Sequence, residues 1–439
     1  MTRLLPFLLF LSLLIPANAE TVKDREGAVR SDKAKMSGSD RWIYNDIEAG
    51  FAEAKKSGKP LMVVLRCVPC VACMGIDTEV LTENEAITPL MDQFVRVRVI
   101  NANALDLSLF QFDYDLSFSI LFFNADKTIY GRFGSWEHQH DSQNRATVTL
   151  RQAMERTLSL HAGYPANAAS LAGKKGQLMA YKTPFEMPSL KTFRPELDWN
   201  GQVVKSCVHC HQVGDAIRLE VRDTGAPLPM KWIFPYPNPG ALGITFGEEP
   251  VTGVSEVADG SVAARAGIRA GDEIVSLDGQ PLISVADFSW VLHQFPESGS
   301  IKVGLRREGV LSELAIDLPE GWRKATDISK RAGVWPMRAM AFGGMRLESL
   351  NDEERKARGI EAGKLALNAL NVGEYGKHAA AKKEGFQKGD VILEVAGSDA
   401  PLTETELLAS NLLNHRPGDK VPVVVLRGGK RIELKMPIQ

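Results

Sequence analysis

The reactive side chains of this sequence are concentrated in two short runs, and the first is LRCVPCVACM at residues 65–74. It places Cys67, Cys70 and Cys73 at three-residue intervals, so two neighbouring thiols at the start of a helix are close enough to form a disulfide. Such a run can exchange disulfides with another protein, supply three ligands to a metal ion, or form one structural bridge and leave a third thiol over. The run alone leaves these three chemistries open.

The second run is CVHCH, in which His211 directly follows Cys207 and Cys210. Two cysteines separated by two residues and followed by a histidine are the pattern of c-type haem attachment, with the histidine as an axial ligand of the iron. Met230 in PLPMKW is the candidate for the second axial ligand. The alternatives are a structural disulfide, a metal clip that uses His209 and His211, or a second dithiol.

The amino-terminal residues indicate the compartment in which these thiols would work. An arginine precedes the apolar segment 4–16, and the triplet ANA at 17–19 has the small residues of a signal-peptidase site. We therefore predict that residues 1–19 are a signal peptide and that the mature chain is periplasmic, without a membrane span. In such an oxidising compartment paired cysteines tend to be bridged, redox-active or attached to a cofactor.

The composition is that of a soluble protein with several domains. The 439 residues exceed what one ordinary core holds, so two to four domains are expected. The 52 basic and 54 acidic residues give a net charge of −2, which argues against a nucleic-acid or anionic-membrane partner.

Residues 41–165 alternate helical and strand patterns after a polar stretch, 20–40, that we predict to be a flexible leader. LMVVL and VRVRVI read as buried strands, and SILFFNADKTIYGRFG reads as a hairpin. The predicted order is helix, strand, cysteine-bearing helix, strand, two hairpin strands and helix, which is an α/β domain.

This block resembles the thioredoxin fold, in particular a periplasmic thioredoxin-like branch. In thioredoxins the first redox cysteine lies eleven residues after the lysine of the GKP motif, and counting from Lys59 leads to Cys70. The resemblance implies that Cys70 attacks a partner disulfide and that Cys73 resolves the mixed disulfide. A helix N-terminus would favour the Cys70 thiolate, because its backbone N–H groups carry partial positive charge.

Two positions depart from that family. Val64 stands where thioredoxins carry a buried acid, and Phe118 stands where they carry a cis-proline that helps lay the substrate backbone beside the disulfide and blocks metal capture. Metal binding by the three thiols is therefore an alternative, and the nearest histidines for a fourth ligand are His138 and His140. We favour redox chemistry, in which Cys67 adds a third thiol and allows a relay.

Residues 239–322 and 340–439 repeat one pattern of strand, short helix, Gly-Asp turn, strand, helix and strand hairpin. AGIRAGDEIVSLDGQPL in the first copy aligns with EGFQKGDVILEVAGSDAP in the second. Both copies resemble the PDZ domain in the permuted arrangement common in bacterial envelope proteins, which implies two α+β domains that are partly open β-barrels. Serine proteases often carry such domains, but the sequence shows no glycine-flanked nucleophilic serine.

The resemblance also implies a peptide-binding loop in the first copy. Ala241, Leu242, Gly243 and Ile244 would offer backbone N–H groups to the C-terminal carboxylate of a partner, and the adjoining strand edge would pair with the peptide. The second copy has GGMRLE at that place, so it is open whether this copy binds a ligand or is an internal docking module.

The whole chain is similar to a bacterial thioredoxin/PDZ family in which some members replace a motif cysteine by selenocysteine. The predicted order after the leader is a thioredoxin-like domain (41–165), a connecting segment with the haem motif (166–238) and two PDZ domains (239–322 and 340–439). The predicted function is a periplasmic thiol–disulfide redox protein, coupled to a c-type haem, that recruits partner proteins by a C-terminal tail or an exposed strand. The alternative is a non-enzymatic PDZ scaffold whose cysteines are structural or bind a metal.

Overall fold

A computed structural model describes residues 24–68, 77, 87–134, 143–329 and 331–439, with only the backbone described for 143–146. The predicted redox pair Cys70 and Cys73 lies outside the described residues, as do the signal peptide, His138 and His140. Within the described part, no helix is both long enough and apolar enough to span a membrane.

The first part of the chain forms a five-stranded mixed sheet in the order β1-β3-β2-β4-β5. Strands β1, β3 and β2 are parallel, and β4 and β5 are antiparallel to their neighbours. Every residue of β2, β3, β4 and β5 is buried, because the sheet is covered on both faces. The elements are α1 (Arg25–Met36), β1 (Ile43–Tyr44), α2 (Ile47–Ser57), β2 (Leu61–Arg66), α3 (Thr88–Met91), β3 (Val95–Val99), β4 (Phe118–Phe123), β5 (Ile129–Phe133) and α4 (Gln143–Ala162).

Part of the predicted flexible leader is helical. Asp24 caps the first turn of α1 by accepting a hydrogen bond from the N–H of Gly27 at 2.7 Å. The helix is polar, but Val29 is buried, and Asp32 accepts hydrogen bonds from Arg98 in β3 and from Tyr44 in β1. These long-range contacts order a segment that its composition alone would leave unfolded.

The connecting segment folds back onto the sheet and contains α5 (Ala168–Leu171), α6 (Cys210–Asp223) and α7 (Met230–Ile233). Asn103, which is fully buried after β3, holds this segment in place. Its side-chain nitrogen donates to the carbonyls of Arg194 and Ser206, and its side-chain oxygen accepts from the N–H of Val208 at 2.7 Å. The CVHCH run therefore lies against the end of the first sheet.

The two repeated segments have the α+β architecture expected of PDZ domains. The first has a four-stranded sheet, β11-β10-β8-β9, and a separate pair, β6-β7, whereas the second has one five-stranded sheet in sequence order. All these sheets are open, and within the described residues none closes into a barrel. The elements of the first are β6 (Ile244–Phe246), β7 (Val254–Val257), α8 (Val262–Arg265), β8 (Glu273–Leu277), β9 (Gln280–Pro281), α9 (Val285–Gln294), β10 (Gly299–Arg307) and β11 (Val310–Leu318). Those of the second are α10 (Val334–Phe342), β12 (Met345–Ser349), α11 (Asp352–Ala357), β13 (Leu367–Val372), α12 (Ala380–Lys383), β14 (Val391–Val395), α13 (Glu404–Asn414), β15 (Lys420–Arg427) and β16 (Lys430–Pro437).

The first PDZ-like segment packs directly on the thioredoxin-like sheet. Asp287 in α9 accepts a hydrogen bond from the backbone N–H of Arg132 in β5 at 3.0 Å and forms a 2.7 Å ion pair with Lys174. The guanidinium of Arg132 lies 3.6 Å from the ring centroid of Trp290. Because these groups are buried, the contact fixes the orientation of α9 on the sheet.

The second PDZ-like segment is held through the connecting segment and through the residues that precede it. Arg222 in α6 donates to the backbone carbonyls of His415 and Gln439, at 2.8 and 2.9 Å. Arg331 forms buried ion pairs with Asp113 and Asp115, which precede β4.

Candidate thiol site

The first cysteine of the LRCVPCVACM run stands at the end of the central strand β2. The backbone N–H of Cys67 donates to the carbonyl of Ser117 at 2.9 Å, and Arg66 is the register partner of Phe118. Phe118 is thus the first residue of β4 and lies beside the thiol run, where the resemblance expects a cis-proline. Val64 is fully buried, so the apolar residue at the expected position of the acid packs as core.

An acid from a different position lies close to this strand end. Arg66 contacts Asp77 at 3.1 Å, and Arg98 in β3 contacts the same carboxylate at 2.6 Å. Burial opposes ionisation of Asp77, but the hydrogen bonds and charges of Arg98 and Arg66 outweigh it and hold the pKa of this carboxyl below its ordinary value. Sequence reasoning missed Asp77, and the available signal was the pair of arginines inside the otherwise apolar strand VRVRV.

His209 from the connecting segment contacts the thiol run. Its ring Nδ1 lies 3.0 Å from Sγ of Cys67. Its backbone N–H donates to the side chain of Gln212, so His209 is the N-cap residue of α6. Burial, together with the charges of His211 and Arg25, lowers the pKa of His209 to about 4, so the imidazole is neutral at pH 7.

Cys207 and Cys210 line the same cavity as Cys67 and His209. The Cys207 thiol donates to the carbonyl of Ile100 at 3.4 Å. Burial raises the pKa of Cys207 to about 11 and that of Cys210 to about 12, so both are thiols at neutral pH. The cavity has a volume of about 30 Å³. Its lining comprises Val29, Leu65, Arg66, Cys67, Val68, Val99, Ile100, Ala102, Leu197, Val203, Val204, Cys207, Val208, His209 and Cys210.

The residues predicted to hold a haem do not fit one in this arrangement. The cavity beside the two thiols has room for about one water molecule and not for a porphyrin. His211 is exposed and lies 3.5 Å from Asp215, whereas Met230 packs against the core of the second PDZ-like segment. In the ranges that the structure describes, no cluster of three or more His, Cys, Asp or Glu side chains could hold a metal ion.

The predicted peptide-binding loop lies next to an open strand edge. Ala241 and Leu242 belong to a single 3-10 turn, and Gly243 follows it with φ of +81°. The Gly243 carbonyl accepts from the N–H of Ala258 at 2.8 Å. Among the described strands, β6 pairs only with β7, so its other edge is available to a peptide strand. A methyl group on Gly243 would lie 2.2 Å from the Cβ atom of Ser261, which excludes any side chain there.

The corresponding edge of the second copy is already occupied by the chain itself. The carboxylate of Glu404, at the start of α13, accepts the backbone N–H of Leu347 in β12 at 2.7 Å. Arg338 in α10 contacts the same carboxylate at 2.5 Å, and both side chains of this ion pair are 8% exposed. A peptide strand cannot pair with Leu347 while Glu404 holds this N–H.

Comparison with curated proteins finds bacterial proteases that share only part of their length with this chain. The periplasmic pH-dependent serine endoprotease DegQ of Escherichia coli (strain K12) is 32% identical over 142 residues, which are 32% of this chain and 27% of DegQ. The periplasmic serine endoprotease DegP of Salmonella typhimurium is 30% identical over 140 residues, 32% of this chain and 25% of DegP. The chain thus matches about a quarter of the length of these relatives.

Among solved structures, the HtrA-type protease AlgW with a decapeptide is similar at 20% identity and a TM-score of 0.20, covering 30% of this chain and 40% of AlgW. This likeness is too low to support a conclusion.

Family models give a direct result: a thioredoxin-like model matches residues 42–125, and PDZ domain models match residues 253–307 and 351–438. The chain therefore carries a thioredoxin-like domain followed by two PDZ domains.

Proposed function

We propose that the chain is a periplasmic thiol–disulfide redox protein that binds its partner through the first PDZ domain. The observation that carries this proposal is the position of Cys67, at the end of the central strand of a thioredoxin-like sheet with its sulfur 3.0 Å from Nδ1 of His209. A thiol beside a neutral imidazole, at the carboxyl end of a parallel strand, is a setting for nucleophilic chemistry.

The exchange starts at Cys70, the residue that the GKP register assigns to the first thioredoxin cysteine. Its thiolate forms a bond with one sulfur of the partner disulfide, and the other partner sulfur leaves as a thiolate. Cys73 or Cys67 then attacks the Cys70 sulfur and releases the partner as a dithiol. The partner gains two electrons, and a disulfide remains in the 67–73 run.

Two further points support the cellular role. The relatives DegQ and DegP are named periplasmic proteins, which agrees with the signal peptide predicted at residues 1–19. Among the strands that the structure describes, β6 pairs with β7 alone, and its other edge, next to the turn before Gly243, would accept a partner's C-terminal segment.

Oxidised glutathione is a partner disulfide of known structure and tests the thiol chemistry directly. In the double variant Cys67→Ser/Cys73→Ser we expect a stable glutathione adduct at Cys70, identified by peptide mass mapping, because no thiol of the run is left to resolve it. The wild type should show a disulfide within the run and no lasting adduct. The matched control Cys67→Ser/Cys70→Ser/Cys73→Ser differs from the double variant only at residue 70 and should form no adduct in the run, and equal reaction rates in the double variant and this control would refute the proposal.

The non-enzymatic scaffold is the second candidate, and the buried contact between α9 and β5 favours it, since that contact holds the domains in one arrangement. A scaffold would bind the same partner when Cys70 and Cys73 are both replaced by serine. If this variant and the wild type release the partner at the same rate, under reducing and under oxidising conditions alike, the result would favour the scaffold.

A further inference from the structure

We propose that Cys207 and Cys210 form a second redox dithiol, which exchanges its disulfide with Cys67 inside the same molecule while His209 carries the proton. This inference rests on the proposed thiol chemistry of the thioredoxin-like domain, but it does not depend on Cys70 or Cys73. It assigns to the CVHCH run a role other than haem attachment.

The first observation is that residues distant in sequence share one enclosed space. Cys67 and His209 are 142 positions apart, yet their side chains are 3.0 Å apart. Cys207 and Cys210 line the same cavity of about 30 Å³ as Cys67 and His209, so the three cysteines and the histidine border one small space.

The second observation is that this placement is held by specific hydrogen bonds. The buried amide of Asn103 binds the backbone on both sides of Cys207, at Ser206 and at Val208. The carboxylate of Glu26 in α1 accepts the N–H groups of Val203 and Val204, at 3.1 and 3.0 Å. The thioredoxin-like domain and the leader helix together keep the cysteine run against Cys67.

The third observation is the local geometry of the pair. Cys210 is the first residue of α6 and Cys207 precedes it by three positions, so the two thiols stand at a helix start with the spacing at which a disulfide closes. Burial raises the pKa of both thiols. The attacking group is Cys67, and it must lose its proton first because the thiolate is the nucleophile in disulfide exchange.

The ring Nδ1 of His209 lies 3.0 Å from the Cys67 sulfur, and the negative charge of a thiolate at that distance favours protonation of the imidazole, so His209 is placed to take the Cys67 proton. The thiol of Cys67 gives its proton to Nδ1 of His209, and the resulting thiolate attacks one sulfur of the Cys207–Cys210 disulfide. A bond forms between Cys67 and the attacked sulfur, the Cys207–Cys210 bond breaks, and the other sulfur leaves as a thiolate that takes the proton back from His209. The exchange moves the disulfide without net gain or loss of electrons.

The test uses the full mature chain in a glutathione redox buffer. Two variants in a Cys70→Ser/Cys73→Ser background retain either Cys67 with Cys207 (Cys210→Ser) or Cys67 with Cys210 (Cys207→Ser). We expect at least one of them to form an internal disulfide to Cys67, found by non-reducing peptide mapping, in preference to glutathione adducts. The proposal would be overturned if both variants form glutathione adducts and no internal disulfide, while their reduced forms unfold at the same temperature as the Cys70→Ser/Cys73→Ser background. If the variants unfold, the same 67–207 or 67–210 linkage is sought in partially oxidised wild type, and its absence counts against the proposal.

The role of His209 has a separate readout. His209→Ala should slow formation of the internal disulfide by about tenfold or more, and added imidazole should restore the rate. A slow rate without rescue would overturn the base role of His209.

A pyridine haemochrome spectrum of chain produced with the haem-attachment machinery should show no covalent haem, because a haem would consume both thiols as thioethers.

The outcomes separate this inference from the proposed function. A glutathione adduct at Cys70 without any linkage from Cys67 to the second pair would leave the proposed function intact and refute the inference. A linkage in the variants that lack Cys70 and Cys73 would support the inference even if Cys70 fails to react with glutathione.

Discussion

The ammonium of Lys174 lies 2.7 Å from the carboxylate of Asp287, and each of the two side chains is 1% exposed. The pair joins the connecting segment to helix α9 of the first PDZ domain. Asp287 also accepts the backbone N–H groups of Arg132 and Ile283, so its carboxylate is satisfied from three directions. Removing one member of such a buried ion pair destabilises the fold, because the other charge stays buried without a partner.

Asp287→Ala should lower the free energy of unfolding by about 3–5 kcal/mol, because the Lys174 ammonium stays buried without its partner. Urea denaturation followed by tryptophan fluorescence measures this change. Glu313→Ala, which breaks the exposed pair of Lys302 and Glu313 on the same domain, is the matched control and should unfold like the wild type. Equal midpoints for the two variants would contradict the structural role of Asp287.

Glu404→Gln should loosen the strand edge of the second PDZ domain. The substitution removes the charge that holds Arg338 and weakens the acceptor of the Leu347 N–H, so we expect a loss of about 3 kcal/mol in unfolding free energy. Hydrogen exchange at the Leu347 amide should become faster than in the wild type. Glu348→Gln, an exposed neighbour in β12, should leave that exchange rate unchanged.

The stability of the chain should fall as the pH drops from 7 to 4, in part because of His209. Its pKa is about 4 in the folded state against 6.5 ordinarily, so the unfolded chain takes up a proton between these values and the folded chain does not. The His209 imidazole leaves the free energy of unfolding unchanged above pH 6.5 and lowers it by up to about 3 kcal/mol below pH 4. Thermal unfolding of His209→Gln should show a correspondingly shallower pH dependence, and a slope equal to that of the wild type would contradict the contribution of His209.

Cys207 and Cys210 should resist alkylation in the reduced, folded chain. Their pKa values of about 11 and 12 leave very little thiolate at pH 8, so iodoacetamide should modify them at least about tenfold more slowly than in urea. Mass spectrometry of peptides from timed reactions measures the two rates. Equal rates with and without urea would contradict the burial of these thiols.

Gly243→Ala should impair the first PDZ domain more than a glycine-to-alanine change elsewhere in it. Gly243 and Gly271 both have positive φ, but a Cβ atom clashes with Ser261 only at residue 243 and meets open space at residue 271. We expect Gly271→Ala to cost about 1 kcal/mol of unfolding free energy and Gly243→Ala to cost clearly more. Peptides selected on the wild-type chain for a free C-terminal carboxylate should bind to Gly271→Ala and fail to bind to Gly243→Ala.

The domain types were predictable from sequence because their signals are local. The buried run at Leu61–Arg66 and the repeated Gly-Asp turns at Gly271 and Gly389 follow from strand burial and turn chemistry, which act within a few residues. The family models confirm the thioredoxin-like domain and both PDZ domains.

Which residues come together in the thiol site was not predictable in the same way. Contacts such as Cys67 with His209, or Arg98 with Asp32, join positions that no periodicity connects. CVHCH fits a haem motif when it is considered alone, and only the fold shows what lies beside it. Asp77 was missed because it follows the cysteine run, whereas the family pattern directs attention to position 64.

The fixed contact between α9 and β5 has a consequence for partner selection. Because Asp287 holds the first PDZ domain on the sheet whose central strand leads to Cys67, the distance from the β6 edge to Cys67 is fixed. Under the proposed function, the cysteine of a partner whose tail is bound at this edge would reach Cys67 only when enough residues lie between that cysteine and the terminal carboxylate. If the proposed function holds, substrates would be selected by the number of residues between their cysteine and their C-terminus, in addition to the identity of their last residues.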